Sequence, residues 1–351
     1  MSVDIYLDWN ATALISPTVV NHYSSALSQL DCNPHSQHRR GREASVAVER
    51  TRELLAKLVD VRPKQVRFTS GATESNSWLL SYFSGQEGAI LGSAVEHPAV
   101  GAWIDETIPV SVSGIVDLHW LENRLSKGNV SIVSIMAANN ETGVIQPTAK
   151  IHTLCQRFDV PYHCDAAQVF NRIDWSGSAD YITLSGHKMG APIGVGALVL
   201  SKELPPLLKG GAQERGARAG TVNAPLIDTW GHVIKGVRPM TNESQLALES
   251  ALVSGTSAKI VGADASRLPN TTLALFDVPG DMIVMALDMQ GIAASTGSAC
   301  ASASSKDSFV LEAMGLSGKP VRFSWGHESN VEEAIPVILE TIQNLEQTCV
   351  W

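Results

Sequence analysis

The stretch Tyr181-Ile182-Thr183-Leu184 leads directly into Ser185-Gly186-His187-Lys188, and it decides the predicted fold. A short apolar run that breaks at a glycine is typical of a buried strand that ends in a loop. In open α/β folds, ligands bind at the carboxyl ends of the parallel strands. The pattern therefore predicts that Lys188 lies at the ligand-binding edge of a sheet.

The segments around this stretch indicate the architecture. Strand-like runs occur at Ala89–Leu91, Ile132–Met136, Val160–His163 and Gly196–Leu200, and helical stretches such as Thr148–Phe158 separate them. This alternation predicts an α/β fold whose mostly parallel sheet carries helices on both faces.

The texture of the sequence changes after Gly210–Thr221, and a smaller α+β domain is predicted to begin near Met240 and to contain a strand at Thr271–Phe276. The expected boundaries are residues 14–240 for the large domain, and residues 1–13 with 241–351 for the small one.

Composition limits the classes of function. The chain has 351 residues, 44% hydrophobic and 17% charged, and its formal net charge of -9 does not favour nucleic acid or an anionic membrane as partner. No apolar run reaches the ~18 residues of a membrane span, and the N-terminus lacks the pattern of an export signal. Five cysteines without a CxxC pair argue against a disulfide framework. We therefore expect a cytoplasmic protein that binds neither nucleic acid nor a membrane.

A lysine and an acid stand at the ends of two strand-like runs. Lys188 follows the run Tyr181–Leu184, and the run that begins at Val160 ends on Asp165. Pyridoxal phosphate needs an amine for a Schiff base and a carboxylate for its pyridinium nitrogen, so this pair predicts a site for that cofactor. Taken alone, each residue is more often a solvated lysine or a loop aspartate.

A phosphate site is predicted where the strand Gln65–Thr69 ends. The small-residue turn Ser70–Asn76 follows and opens into a predicted helix at Ser77–Phe83. Free N–H groups and the positive end of the helix dipole suit a phosphate there. An ordinary helix cap is the alternative for this stretch on its own.

Two other features carry candidate chemistry. Cys300 lies in a predicted loop of small residues, Ser295–Ser302, although an isolated free cysteine is more often buried and inert. His35 and His38 share one polar loop, but no third ligand type accompanies them, so we predict no metal site.

Together the motifs resemble the NifS/IscS-like cysteine desulfurases, which are class V aminotransferases of fold type I. The resemblance covers nearly the whole chain and rests on many short motifs that occur in one order. These motifs lie at residues 6–12, 33–41, 68–76, 96–97, 139–143, 163–168, 185–188, 213–221, 297–300 and 321–324.

The resemblance implies a seven-stranded sheet and pyridoxal 5'-phosphate as cofactor. Lys188 would form the Schiff base and then remove the substrate's Cα proton, Asp165 would keep the ring nitrogen protonated, and His97 would stack on the ring and act in catalysis. The other implied cofactor contacts come from Ala72, Thr73, Asn140, Gln168, Ser185 and His187, and from Thr221 of the second subunit of a homodimer.

The resemblance also implies the substrate and the product. L-cysteine would be bound by Asn10, Asn140 and Arg322, with Arg322 holding its carboxylate in a bidentate fork. The Cys300 thiolate would attack the substrate sulfur and leave alanine and a protein persulfide. A scaffold or carrier protein would then accept the sulfur, as in iron–sulfur cluster biosynthesis.

Two alternatives remain open at this stage. A selenocysteine lyase, or another Cβ-lyase or aminotransferase of the same fold, would use the same pocket residues. A non-catalytic relative acting as an interaction module is disfavoured because Lys188, Asp165 and Cys300 are all present.

Overall fold

The computed structural model of the protein describes residues 4–175, 178–297 and 308–348. Within these ranges the strands are β1 (Ile5–Tyr6), β2 (Val66–Thr69), β3 (Ala89–Ser93), β4 (Glu106–Ile108), β5 (Val130–Ser134), β6 (Tyr162–Asp165), β7 (Tyr181–Ser185), β8 (Gly196–Leu200), β9 (Lys259–Ile260), β10 (Thr271–Phe276), β11 (Ile292–Ala293) and β12 (Lys319–Ser324). The helices are α1 (Pro17–Gln29), α2 (Arg39–Leu58), α3 (Ala72–Ser84), α4 (Pro98–Gly101), α5 (Leu118–Leu125), α6 (Thr148–Arg157), α7 (Ala224–Ile234), α8 (Glu243–Gly255), α9 (Gly280–Met289), α10 (Phe309–Ala313) and α11 (Val331–Thr348).

A seven-stranded sheet forms the centre of the molecule. Its strand order is β2-β8-β7-β6-β5-β3-β4, and β8 is the strand that runs against the others. Alternate residues of a strand point to opposite faces, and they enter two different cores. Leu91 and Ile182 pack with α2, α5, α6 and α7, whereas Ile90 and Tyr181 pack with α3. The predicted α/β fold, a mostly parallel sheet with helices on both faces, is confirmed.

A second core lies around a three-stranded antiparallel sheet of order β12-β10-β9. Helices α8, α9 and α11 supply apolar residues to this core. Ile5 and Leu7 of the N-terminal segment also pack here, and β1 pairs with β11. The smaller α+β unit is therefore present, while its predicted boundaries at residues 13/14 and 240/241 stay a prediction.

Three predicted element bounds are wrong near the sheet edge. Helix α3 begins at Ala72, five residues before the predicted start, because Glu74 accepts a hydrogen bond from the Ser70 N–H at 2.8 Å and closes the first turn. Strand β6 begins at Tyr162, two residues after the predicted start, and ends on Asp165 as predicted, whereas β5 lies two residues earlier than predicted. Asp165 is thus a strand residue with a fixed direction.

No helix among the described residues combines the length and the apolar character that crossing a bilayer requires.

A buried ion pair ties the sheet to the segment after β8. The Arg52 guanidinium donates to both carboxylate oxygens of Glu214, at 2.8 and 2.9 Å. Glu214 also accepts from the Phe68 N–H of β2 at 2.8 Å. Glu214 and Arg215 have positive φ angles of 48° and 61°. Non-glycine residues adopt this conformation only where surrounding contacts hold it, and the ion pair is such a contact.

Replacing Glu214 by Gln is expected to lower the free energy of unfolding by about 3 kcal/mol, because the buried Arg52 guanidinium would keep only the half-exposed Glu49 as counter-charge, at 3.0 Å. Urea unfolding followed by circular dichroism measures the change. The control is Glu122→Gln, which removes the exposed pair with Arg157 at 2.8 Å and is expected to cost no more than about 1 kcal/mol. Equal effects of the two variants would contradict the prediction.

Candidate active site

A cavity of about 430 Å³ lies at the carboxyl edge of the seven-stranded sheet. The ends of β6 and β7, the start of α3, the segment after β1 and strand β12 all contribute to its wall. Predicted site residues on this wall are Asn10, Ala72, Thr73, His97, Asn140, Asp165, Gln168, Ser185, His187, Lys188 and Arg322. The fold thus brings residues from distant parts of the sequence to one place.

One end of the cavity has the donors for an anion. The first turn of α3 presents the N–H groups of Ala72 and Thr73, and Ser185 lies at the end of β7 beside them. A Cβ on Gly196 would approach the Gly71 backbone to 2.6 Å, so glycine is required for β8 to lie directly against this turn. A Cβ on Gly71 would meet open space. The turn therefore leaves room for a phosphate.

His187 belongs to the same end of the cavity. Its Nδ1 lies 2.9 Å from the Thr12 hydroxyl oxygen. Burial, together with the charges of Lys188 and Arg172, lowers the pKa of His187 to about 4, so the ring is neutral at pH 7. If the Thr12 hydroxyl donates to Nδ1, the ring proton is on Nε2 and is available to an anion.

Asp165 lies on the wall of the same cavity. Its Oδ2 accepts a hydrogen bond from the Asn76 side chain at 2.7 Å, and its Oδ1 accepts from the Ala167 N–H at 3.0 Å. Asn76 is fully buried in α3 and was not predicted as a site residue. These two donors fix the plane of the carboxylate and leave lone pairs for a protonated ring nitrogen.

Gln168 and His97 lie near Asp165. Gln168 donates from Nε2 to the Asn10 carbonyl at 3.1 Å, while its Oε1 is buried without a partner among the described residues. His97 accepts the Ala99 N–H on Nδ1 at 3.1 Å and so caps α4. Burial lowers the pKa of His97, and the neutral ring then carries its proton on Nε2.

Lys188 is the nucleophile candidate. Its Nζ donates to the Ala11 carbonyl at 2.8 Å and to the Asn10 carbonyl. Burial, followed by the positive charges of Arg172 and Arg322, lowers the pKa of Lys188 to about 7. A large fraction of this amine is therefore uncharged and nucleophilic at neutral pH.

Arg322 is almost fully buried and has more partners than predicted. Its Nη1 donates to the carbonyls of Asn140 at 2.9 Å and Gly297 at 2.6 Å. Its Nη2 donates to Asp8 Oδ1 at 2.5 Å. Its Nε has no partner among the described residues. The fork that was predicted to hold a substrate carboxylate is thus partly engaged by the protein itself.

Among the predicted site residues that the structure describes, one is not on the cavity wall. Thr221 is exposed and lies outside the cavity, and its predicted contact with a second subunit stays a prediction. Cys300 lies outside the described residues.

The two histidines of the polar loop do not lie at this site. His38 caps α2 by accepting the Gly41 N–H at 3.2 Å, as a capping side chain does. Within the described ranges no group of three His, Cys, Asp or Glu side chains is placed to hold a metal ion.

Sequence reasoning missed several residues that hydrogen-bond to the predicted site residues or to the turn that precedes α3. Glu74 could have been found from its place three residues after Gly71, which is a capping signal. Asn76 lies two residues further on, and its contact with Asp165 spans 89 residues of sequence, so the local pattern does not reveal it. Asp8, Thr12 and Arg172 meet the site only through tertiary contacts, so no local pattern identifies them.

The donor set fits pyridoxal phosphate. The α3 N-terminus with Ser185 and His187 suits the phosphate, and Asp165 suits the pyridinium nitrogen. The Gln168 amide oxygen has no hydrogen-bond partner within residues 4–175, 178–297 and 308–348, so it is available to a bound group. Lys188 lies on the same cavity wall, and its amine is the group that would bind the cofactor's aldehyde.

Comparisons with known proteins agree with this geometry. The aminotransferase class-V family matches residues 5–335. Cysteine desulfurase IscS of Rickettsia typhi is 32% identical, over 99% of this chain and 93% of its own. The mitochondrial cysteine desulfurase of Saccharomyces cerevisiae is 34% identical, over 95% of this chain and 73% of its own. The solved structure of a NifS-like protein superimposes with a TM-score of 0.88 at 30% identity, covering 99% of this chain and 100% of that one.

In the chain freed of cofactor, Lys188 is expected to react with acetic anhydride with a midpoint near pH 7, because burial and two arginines disfavour its charged form. Peptide mass spectrometry at a series of pH values measures the midpoint. The exposed Lys209 in the same digest is the internal reference for the reagent. Coincident profiles for the two lysines would contradict the prediction.

Proposed function

The chain belongs to the class-V aminotransferase family and, within it, to the pyridoxal-phosphate-dependent cysteine desulfurases, and we propose that it passes the sulfur of L-cysteine to Cys300. The observation that supports this most strongly is the convergence in one cavity of Lys188, Asp165, the α3 N-terminus and Arg322. Each of these groups suits a different part of the cofactor or of an amino-acid substrate.

The cofactor, when bound, supplies an electron sink that stabilises negative charge at the substrate's α-carbon. Asp165 would hold the ring nitrogen in its protonated form, which strengthens that sink. Lys188 would first bind the cofactor's aldehyde and then, once substrate has released it, take the α-proton on Nζ. A pKa of about 7 suits both tasks at neutral pH.

His97 and Gln168 would hold the ring in place. His97 lies on the cavity wall with its Nδ1 engaged by the Ala99 N–H, so its ring is held in one orientation. Its Nε2 proton is the one that would face the reacting groups. Gln168 would hydrogen-bond the ring oxygen through its amide.

Arg322 would bind the substrate carboxylate, and Asn140 lies beside it on the cavity wall. The carboxylate would replace Asp8 on Nη2 and use the unpartnered Nε, since Nη1 already donates to two carbonyls. Asn10 would contribute through its backbone carbonyl, which accepts from Lys188, because its side chain bonds to other protein groups.

The sulfur transfer uses the thiolate of Cys300. Its sulfur would attack the sulfur of the substrate, so that an S–S bond forms while the C–S bond breaks. The electron pair of the broken bond goes to the three-carbon fragment, which takes up a proton and leaves as alanine. The transferred sulfur remains on Cys300 as a persulfide, and no external oxidant or reductant is needed.

We further propose a homodimer in the cytoplasm that delivers this sulfur to a scaffold or carrier protein, as iron–sulfur cluster biosynthesis requires. Thr221 would then contact the phosphate bound by the second subunit. Its exposure on the isolated chain is consistent with such a contact.

Incubating the cofactor-loaded protein with L-cysteine is expected to add one sulfur atom to the peptide that contains Cys300. Mass spectrometry of the alkylated digest detects it. Cys300→Ala is expected to abolish persulfide and sulfide while the cofactor's visible absorbance stays, and Cys32→Ala is the matched control that keeps both. Undiminished sulfide release by Cys300→Ala would favour a Cβ-lyase, and parallel assays with L-selenocysteine test a selenocysteine lyase.

Arg322→Lys is expected to raise KM for L-cysteine about 10- to 100-fold, because hydrogen bonds to a charged group contribute about 1.5–3 kcal/mol and lysine cannot form the fork. Steady-state alanine formation measures KM and kcat. The control is Arg267→Lys, in which the arginine paired with Glu249 at 2.6 Å lies outside the cavity. An unchanged KM in Arg322→Lys would show that Arg322 does not bind the substrate carboxylate.

A further inference from the structure

Arg172 is a buried cation without an acidic partner among the described residues. Only 3% of it is exposed. Its Nη1 donates to the Gln168 carbonyl at 2.8 Å, its Nη2 donates to Asn10 Oδ1 at 3.4 Å, and its Nε has no partner in the part of the chain that the structure describes. By contrast, the buried Arg52 and Arg67 each have a glutamate partner. Burying an uncompensated guanidinium is costly, so stability does not explain its presence.

The two partners of Arg172 lead directly to Lys188. The Asn10 carbonyl accepts hydrogen bonds from both Lys188 Nζ and Gln168 Nε2. Arg172 therefore holds the side chain of Asn10, whose carbonyl binds the amine, and the backbone of Gln168, whose side chain binds that same carbonyl. Asn10 thus links the Arg172 guanidinium, which binds its side chain, to the Lys188 amine, which binds its backbone carbonyl.

We propose that Arg172 is a positioning residue for Lys188: it fixes the Asn10 carbonyl against the amine, and its unpaired positive charge keeps that amine in the neutral, reactive form. The inference deepens the proposed function and rests on it for the role of Lys188 in the reaction. The charge and the contacts of Arg172 belong to the chain itself and do not depend on turnover.

The other charged and titratable groups around Lys188 do not replace this effect. Arg322 acts in the same direction from β12, and Asp8 and Asp165 act against it. His97 and His187 are neutral at pH 7 because burial lowers their pKa values. Arg172 stays charged there, since burial lowers its pKa only to about 10. Among the charged neighbours it has the largest effect on the pKa of Lys188.

The test measures the pH dependence of Lys188 acetylation in the full chain freed of cofactor, with Arg172→Met and Arg172→Gln as neutral variants. The midpoint is expected to rise by about one pH unit, because a like charge nearby typically moves a pKa by that amount or more. At pH 6 the modification would then be about tenfold slower than in the unchanged protein. Circular dichroism reports whether each variant is folded.

Two further variants separate charge from packing. Arg172→Lys keeps the charge and is expected to keep the midpoint of the unchanged protein. Arg67→Met removes a buried arginine that lies away from the cavity, and its Lys188 midpoint is expected to stay unchanged.

An unchanged midpoint in the folded neutral variants would overturn the proposal. A Lys188 midpoint that is shifted as far in Arg172→Lys as in Arg172→Met would overturn it as well. Failure of both neutral variants to fold would assign Arg172 a structural role and would also overturn it. Because the readout is a chemical modification and not desulfuration, a chain without desulfurase activity would still give a clear answer.

Discussion

The parallel register of β6 and β7 controls the chemistry of this protein. Asp165 pairs with Thr183 across these strands, so the acid at the end of β6 lies beside the segment that leads from Ser185 to Lys188. A slip of one residue would turn the Asp165 side chain to the opposite face of the sheet. The β6 residues are buried on both faces, and the register is therefore strongly specified. Backbone pairing thus sets the distance between the amine and the acid.

Burial gives the groups placed by this register their reactivity. Removing water disfavours every positive charge in the cavity, and the pKa values of Lys188, His97 and His187 all fall. Arginine resists this effect because its ordinary pKa is so high. The cavity therefore combines neutral imidazoles and a partly neutral amine with the guanidinium of Arg322, which suits both proton transfer and the binding of a carboxylate.

Sequence reasoning predicted the elements that follow from local rules. The buried strands β7, β8 and β10 were predicted almost to the residue, since their apolar runs end at polar or glycine residues. The start of α3 was wrong because the small residues after Gly71 are compatible with both a turn and a helix. The contact of Arg322 with Asp8 spans 314 residues of sequence, and the contact of Arg172 with Asn10 spans 162. No local pattern contains them.

The engagement of Arg322 by Asp8 changes how recognition of a carboxylate would work. Burying the Arg322 guanidinium without an anionic partner would cost free energy, and the ion pair with Asp8 lowers that cost in the free protein. A substrate that brings its own carboxylate exchanges one anion for another, so the charge of the site is conserved when Asp8 is released toward solvent. A ligand without a carboxylate would separate Arg322 from Asp8 without supplying another anion to the guanidinium. If Arg322 binds the substrate as proposed, selectivity arises from this exchange, and Asp8 contributes to it without touching the reacting atoms.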